Sequence, residues 1–309
     1  MYIAFKGSEV LNDWLVNLNL KLSDFTLANS GSQDFSPKVH TGFHERAKEW
    51  INDPNGQIMN KIKEWKPKRI VTTGHSLGAA TSSMVHIMLV LKLQSEAMKS
   101  LECHNIGFAT PLFGNLDLKK AILAHSDSRL KNMYHFVNCD DIVPAVAIIE
   151  ETYANLTYGV STLANNSKWL LNLFYKLGFV DMDETQEAEL LTKLKNVLLE
   201  VKKRKKFINQ PLLQGRGNDT FMPIGHFMFM KKKDSGQSDL HVFGFEKSIV
   251  DSEHQWISQI LIKSLENLRE VEIRRGLQCD HILSAHGLDN YFAQVANCLT
   301  SGVHDNLMH

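Results

Sequence analysis

The first half of the chain alternates between two spacings of apolar residues, one typical of strands and the other of helices. Short runs rich in β-branched and aromatic residues predict four buried strands, at 2–6, 69–73, 104–109 and 133–138. Apolar residues at helical spacing predict intervening helices at 45–65, with a break near the turn at 53–56, at about 77–93 and at 116–124. This alternation is typical of an α/β fold with a mostly parallel sheet and helices on both faces.

The pattern changes after about residue 153. Residues 153–211 contain no clear strand, and 187–206 carry one apolar face at helical spacing, which predicts an amphipathic helix. The runs 221–230 and 239–245 then resemble a hairpin, and a last helix is predicted at about 249–275. We therefore expect residues 1–309 to form a single α/β domain, with a helical insertion at 153–211 before the last strands.

Composition narrows the class of protein. The 309 residues include 34 Lys and Arg against 34 Asp and Glu, so the overall charge gives no reason to expect a nucleic-acid partner. The four cysteines have no metal-binding spacing, which favours a reducing compartment. No apolar stretch approaches the length needed to cross a bilayer, and Met1–Phe5 begins no signal-peptide pattern. We expect a cytoplasmic protein.

The segment Gly74-His75-Ser76-Leu77-Gly78 is the strongest candidate for chemistry. It follows a predicted strand and begins a predicted helix, which is the context of a nucleophile elbow. There a serine occupies a strained turn and projects from the carboxyl edge of a parallel sheet, while flanking glycines avoid collisions. The competing interpretation is a serine that only caps a helix N-terminus.

A serine nucleophile needs a histidine base and a carboxylate that orients it, in the chain order Ser, Asp or Glu, His for an α/β-hydrolase. Asp140 and Asp141 follow a predicted strand, and periodicity does not choose between them. Among the later histidines, His281 and His286 lie in a predicted loop and helix start, where a base can be aimed. The residues alone leave both choices open.

Two backbone or side-chain donors are needed for the oxyanion that forms during attack. The N–H of Leu77, directly after the nucleophile, is one candidate, since it lies at a helix N-terminus. The segment Lys6-Gly7-Ser8, after the first strand, is the upstream candidate for the second. This chemistry requires no metal and no cofactor.

Six segments together resemble the class 3 lipases, an α/β-hydrolase family of triacylglycerol lipases and relatives. They are Ile3–Ser8, Asp13-Trp14, Val39–Phe43, Gly74–Gly78, Gly107–Pro111 with Gly114-Asn115, and Asp141–Pro144. The first of them has Lys6 where the family usually has Arg. The resemblance implies hydrolysis of lipid esters, acylglycerols or phospholipids, through an acyl-enzyme.

The resemblance also implies roles for particular residues. The family's acid directly precedes x-Val-Pro, which favours Asp141, and its histidine often stands in His-x-Leu-x-x-Tyr, which favours His286 over His281. The second oxyanion donor of the family corresponds to Ser8. The implied catalytic set is therefore Ser76, Asp141 and His286.

In lipases of this family a short helix after the first strand acts as a lid at the lipid–water interface. Here that segment is about 9–20, with Trp14, Leu15 and Leu18 on its apolar face. The basic run Lys202–Lys206 fits a peripheral contact with an anionic membrane. A non-catalytic signalling or binding protein, with the helical insertion as its partner surface, and an acyltransferase are the alternative functions.

Overall fold

The computed structural model describes residues 1–7, 22–27, 35–98, 100–138, 141, 144, 221–232, 238–245 and 286–300. The predicted lid at 9–20, the helical insertion at 153–211 and the predicted helix at 249–275 lie outside these residues.

The strands form two sheets. Their bounds are β1 Tyr2–Phe5, β2 Leu22–Asp24, β3 Lys38–His40, β4 Arg69–His75, β5 Glu102–Phe108, β6 Gly114–Asn115, β7 Met133–Asn138, β8 Phe221–Met222, β9 His226–Lys232 and β10 Ser238–Phe243. The main sheet has the order β1-β4-β5-β7-β9-β10, and the smaller one β2-β3-β6-β8. In the main sheet every neighbouring pair is parallel except β9 and β10. The four strands expected in the first half are thereby confirmed.

The described helices are α1 Thr41–Ile51, α2 Gln57–Trp65, α3 Leu77–Ser95, α4 Leu116–Ala124 and α5 Leu288–Thr300, with a 3₁₀ turn at Ser128–Lys131. The break expected near residues 53–56 separates α1 from α2, with Gly56 in a left-handed conformation at φ 58°. Parallel strands with intervening helices form the α/β architecture that the sequence predicts.

The predicted run 221–230 is two strands in different sheets. Gly225 separates them at φ 111°, a conformation that L side chains rarely adopt, and a Cβ there would lie 2.7 Å from Nε2 of His135. The second strand continues into the predicted hairpin, since β9 and β10 pair antiparallel from Phe227–Phe243 to Lys232–Ser238.

Helix α3 carries the core of the described fold. By length and composition it is apolar enough to cross a membrane, contrary to the expectation from sequence, but 78% of its apolar window is buried inside the protein. Small residues let it lie close to the sheet, where Asn105 of β5 donates to Ser82 Oγ over 2.8 Å and accepts from Ser83 Oγ over 3.0 Å. The apolar composition of α3 is therefore explained by burial under the sheet.

Candidate active site

Ser76 lies at the turn between β4 and α3 in a strained backbone conformation, with φ 57° and ψ −127°. Such a conformation costs on the order of 1–3 kcal/mol for a residue other than glycine. Its N–H donates to the carbonyl of Phe108 over 2.9 Å, and its carbonyl accepts from the N–H of Ala79 over 2.9 Å. The Ser76 side chain makes no capping hydrogen bond to α3, so the serine does not act as an ordinary helix cap.

The two glycines around Ser76 are required by close backbone approaches. A Cβ on Gly78 would overlap the carbonyl oxygen of Phe5, and a Cβ on Gly74 would overlap the carbonyl group of Gly78. The end of β1, β4 and the first turn of α3 therefore lie against one another at the elbow. Leu77, buried at 2% exposure, begins α3 directly after the serine.

The segment after β1 approaches the same turn. A Cβ on Gly7 would lie 3.0 Å from the carbonyl oxygen of His75 and 3.9 Å from Cβ of Ser76. Ser8, Trp14, Leu15 and Leu18 lie outside the described residues. Gly7, the residue before the predicted second oxyanion donor, therefore lies beside the elbow.

Asp141 and His286 meet although 145 positions separate them in the sequence. Nδ1 of His286 lies 2.9 Å from Oδ2 of Asp141, and both residues are buried. Asp141 follows the end of β7, where its N–H donates to the carbonyl of Asn138 over 3.0 Å. Because a carboxylate only accepts, the neutral imidazole in this pair carries its proton on Nδ1 and leaves Nε2 able to take a proton.

The contact brings together one acid and one histidine from the candidates that the residues alone left open. Asp141 and His286 form the buried pair, while Asp140 and His281 lie outside the described residues. His226, another later histidine, accepts from the N–H of Phe245 over 3.2 Å and stacks on Tyr134 at 5.1 Å. His226 is therefore part of the packing between β7 and β9.

Tyr291 also contacts this pair, although in the sequence it is only the motif position that favours His286. Its hydroxyl donates to Oδ2 of Asp141 over 2.6 Å and accepts from the N–H of Asn138 over 3.1 Å. The side chain is completely buried in the first turns of α5. The sequence feature that indicates this role is the spacing between His286 and Tyr291. Because α5 begins between the two residues, both side chains reach the carboxylate of Asp141.

His75 is a second residue that sequence analysis did not assign to the site. Its Nε2 lies 2.8 Å from the carbonyl oxygen of His286, and the two ring centroids are 4.7 Å apart. Burial, and to a smaller extent the neighbouring His286, lower the pKa of His75 to about 4. His75 is therefore neutral near pH 7.

The described residues contain no group of three or more His, Cys, Asp or Glu side chains that could hold a metal ion. Burial also raises the pKa of the Cys103 thiol to about 11. A protonated thiol is a poor nucleophile, so Cys103 belongs to the core rather than to the chemistry.

Comparison with known proteins links the first half of the chain to lipases. The family model for lipase (class 3) matches residues 2–151. A triacylglycerol lipase (OBL1) of Nicotiana tabacum is 30% identical over 113 residues, which are 36% of this chain and 19% of the relative. A lipase of Rhizomucor miehei is 26% identical over 118 residues, 37% of this chain and 31% of the relative.

A chloroplastic phospholipase A(1) (DAD1) of Arabidopsis thaliana is 25% identical over 154 residues, 47% of this chain and 33% of the relative. The structure of a fungal lipase–inhibitor complex matches at 26% identity and a TM-score of 0.38, over 47% of this chain and 50% of that one. The chain thus spans a third or less of the length of these three curated relatives.

Proposed function

The chain belongs, through residues 2–151, to the class 3 lipase family, and on this premise we propose that it hydrolyses carboxylic esters of lipids with Ser76, Asp141 and His286 as catalytic residues. The observation that carries the proposal is the buried pair of Asp141 and His286, joined over 2.9 Å, in a fold whose β4–α3 turn presents a strained serine. A purely structural serine would have no need of that backbone strain.

The reaction begins when Ser76 Oγ attacks the ester carbonyl carbon and passes its proton to Nε2 of His286. The carbonyl oxygen becomes an oxyanion, which the N–H of Leu77 and the N–H and hydroxyl of Ser8 stabilise. Each such donor contributes on the order of 3 kcal/mol to the transition state. Asp141 accepts from Nδ1–H of His286 and stabilises the imidazolium.

The tetrahedral intermediate then collapses to an acyl-enzyme. His286 returns the proton to the leaving alkoxide, which departs as the alcohol. A water molecule, deprotonated by His286, attacks the acyl carbon, and Ser76 is released together with the fatty acid. Every proton that leaves an oxygen is returned by the same imidazole, so the cycle needs no metal or cofactor.

The substrate class is a lipid ester, an acylglycerol or a phospholipid. Relatives named for triacylglycerol and for phospholipid hydrolysis both match this chain, which supports this breadth. We propose that residues 9–20, with Trp14, Leu15 and Leu18, act as a lid that opens at a lipid–water interface. A rise in activity when a short-chain ester passes its solubility limit would support the lid, and a smooth saturation curve would argue against it.

The central experiment compares the unaltered protein with Ser76→Ala in hydrolysis of a p-nitrophenyl ester series. We expect Ser76→Ala to reduce kcat by at least 10³-fold, because nucleophilic attack is lost. Ser95→Ala, at the exposed end of α3, is the matched control and should leave kcat unchanged. Unchanged hydrolysis in Ser76→Ala would refute the proposal.

Two further measurements separate the other candidate functions. Failure of a fluorophosphonate probe to label Ser76 would point to a non-catalytic signalling or binding protein. Addition of an alcohol acceptor would reveal an acyltransferase if the transferred ester, rather than the free acid, were the main product.

A further inference from the structure

His75 connects the two halves of the proposed site. Its backbone is bonded to Ser76, while its ring reaches the carbonyl oxygen of His286 over 2.8 Å, across 211 positions in the sequence. The ring also lies against Tyr291, edge to face, with centroids 5.9 Å apart. One side chain therefore touches the backbone of the proposed base and the tyrosine bound to the proposed acid.

The direction of the hydrogen bond follows from the partner. A carbonyl oxygen only accepts, so Nε2 of His75 must carry the hydrogen. Burial keeps the pKa of His75 at about 4, so the ring is neutral at pH 7 and has a single N–H. Only the Nε2–H tautomer of that neutral ring makes this bond.

A neutral donor suits this position because a positive charge forms next to it during the reaction. The proposed mechanism protonates His286, whose ring centroid lies 4.7 Å from that of His75. A charged lysine or arginine at the same place would disfavour that imidazolium, since like charges repel strongly in a buried site. A neutral imidazole can hold the backbone without adding this repulsion.

We propose that His75 is a positioning residue whose Nε2–H fixes the backbone of His286 relative to Ser76. Asp141 holds the ring of His286 at Nδ1, and His75 holds the same residue at its carbonyl, so that Nε2 of His286 has a defined direction towards the nucleophile. This inference rests on the proposed function. It predicts that loss of the His75 donor slows the chemical step without weakening substrate binding.

The test compares two substitutions, each of which removes a different property of the imidazole. His75→Phe keeps an aromatic ring but has no donor, and His75→Gln lacks the ring but offers an amide N–H at about the distance of Nε2. We expect His75→Phe to lower kcat by roughly 10- to 100-fold with KM within about two-fold, as for a misplaced catalytic group. His75→Gln should stay within roughly five-fold of the unaltered protein.

The rate constant for inactivation by a soluble fluorophosphonate should fall in parallel with kcat in His75→Phe. His104→Phe is the matched control, because His104 is a half-buried histidine on the adjacent strand β5 and stacks on Tyr134. Near-ultraviolet circular dichroism of each variant checks that packing is retained.

An unchanged kcat in His75→Phe, or equal losses in the Phe and Gln variants, would overturn the inference. Nitrogen-15 NMR of the unaltered protein provides a test that needs no substitution: we expect His75 to carry its proton on Nε2 at pH 7, and the Nδ1–H form would contradict it. Full activity in Ser76→Ala would instead refute the proposed function. Failure of the inference about His75 can therefore be distinguished from failure of the proposed function.

Discussion

At the scale of single residues, three hydrogen bonds connect Asp141, Tyr291 and Asn138 in a ring. Asn138 donates its N–H to the Tyr291 hydroxyl, which donates to the Asp141 carboxylate, and Asp141 donates its own N–H to the Asn138 carbonyl. Buried carboxylates are stable only when their oxygens are well bonded. The direction in which Asp141 faces His286 is therefore set by Asn138 and Tyr291 together.

Tyr291→Phe should affect both stability and catalysis. The substitution removes one donor from the buried carboxylate and leaves the N–H of Asn138 without the partner it has in the structure. We expect unfolding by urea to show a loss of about 1–3 kcal/mol, and kcat to fall roughly ten-fold because the acid is less well oriented. Tyr2→Phe, at a tyrosine that is 79% exposed, is the control and should change neither.

Residue patterns alone could not decide which of the two neighbouring aspartates is the acid. Asp140 and Asp141 differ by one position after a strand, and which of them faces the histidine depends on the turn that the backbone makes beyond Asn138. His286 was favoured over His281 only through its spacing from Tyr291 in the family motif. Ser76, in contrast, was predictable because its strand, turn and helix are all local in the sequence.

At the scale of elements, the elbow is the place where β1, β4 and α3 lie closest together. Gly78 faces the carbonyl of Phe5, and Gly74 faces Gly78 itself. These contacts join backbone to backbone, which cannot shift as a long side chain can. The strain at Ser76 is therefore held by packing on both sides of the turn.

Gly78→Ala should destabilise the fold, although alanine is the better helix former. The added Cβ would overlap the Phe5 carbonyl, and overpacking of this kind typically costs 1–3 kcal/mol. We expect the free energy of unfolding in urea to fall by about that amount. Gly244→Ala is the control, because a Cβ at Gly244 meets no atom within 4 Å; equal effects of the two substitutions would contradict this account.

The helices were predictable because apolar residues recur at helical spacing over several turns. The parallel strands were predictable because each is a run of several apolar residues. The small sheet of β2, β3, β6 and β8 was not, since its strands are two or three residues long and show no alternation. Its position is fixed by side chains instead. Asn115, for example, accepts from the N–H groups of Lys38 and Leu118 and so joins β3 to the start of α4.

At the scale of the whole molecule, buried histidines make the stability of the fold depend on pH. Burial lowers the pKa of His86 to about 4 and that of His135 to about 3. In the unfolded chain a histidine titrates near 6.5. Below that pH the unfolded state binds more protons than the folded state, so acid favours unfolding.

We therefore expect the free energy of unfolding to fall as pH is lowered from 7 to 5, by about 1–2 kcal/mol for each of these histidines. Urea denaturation at several pH values measures this slope. His86→Gln should reduce the slope while leaving the contribution of His135. A free energy that stays constant over this interval would show that the buried histidines accept protons in the folded protein.

The bond between Asp141 and His286 also has a consequence for the order of folding. It closes a loop of 145 residues, and the contact of His75 with His286 closes one of 211. Such closures are entropically unfavourable until the elements that carry them have formed. Because ribosomal synthesis delivers His286 and α5 long after Ser76, the proposed active site would remain incomplete after most of the sheet has formed. Recovery of fluorophosphonate reactivity during refolding would then time the docking of α5, rather than the formation of the sheet.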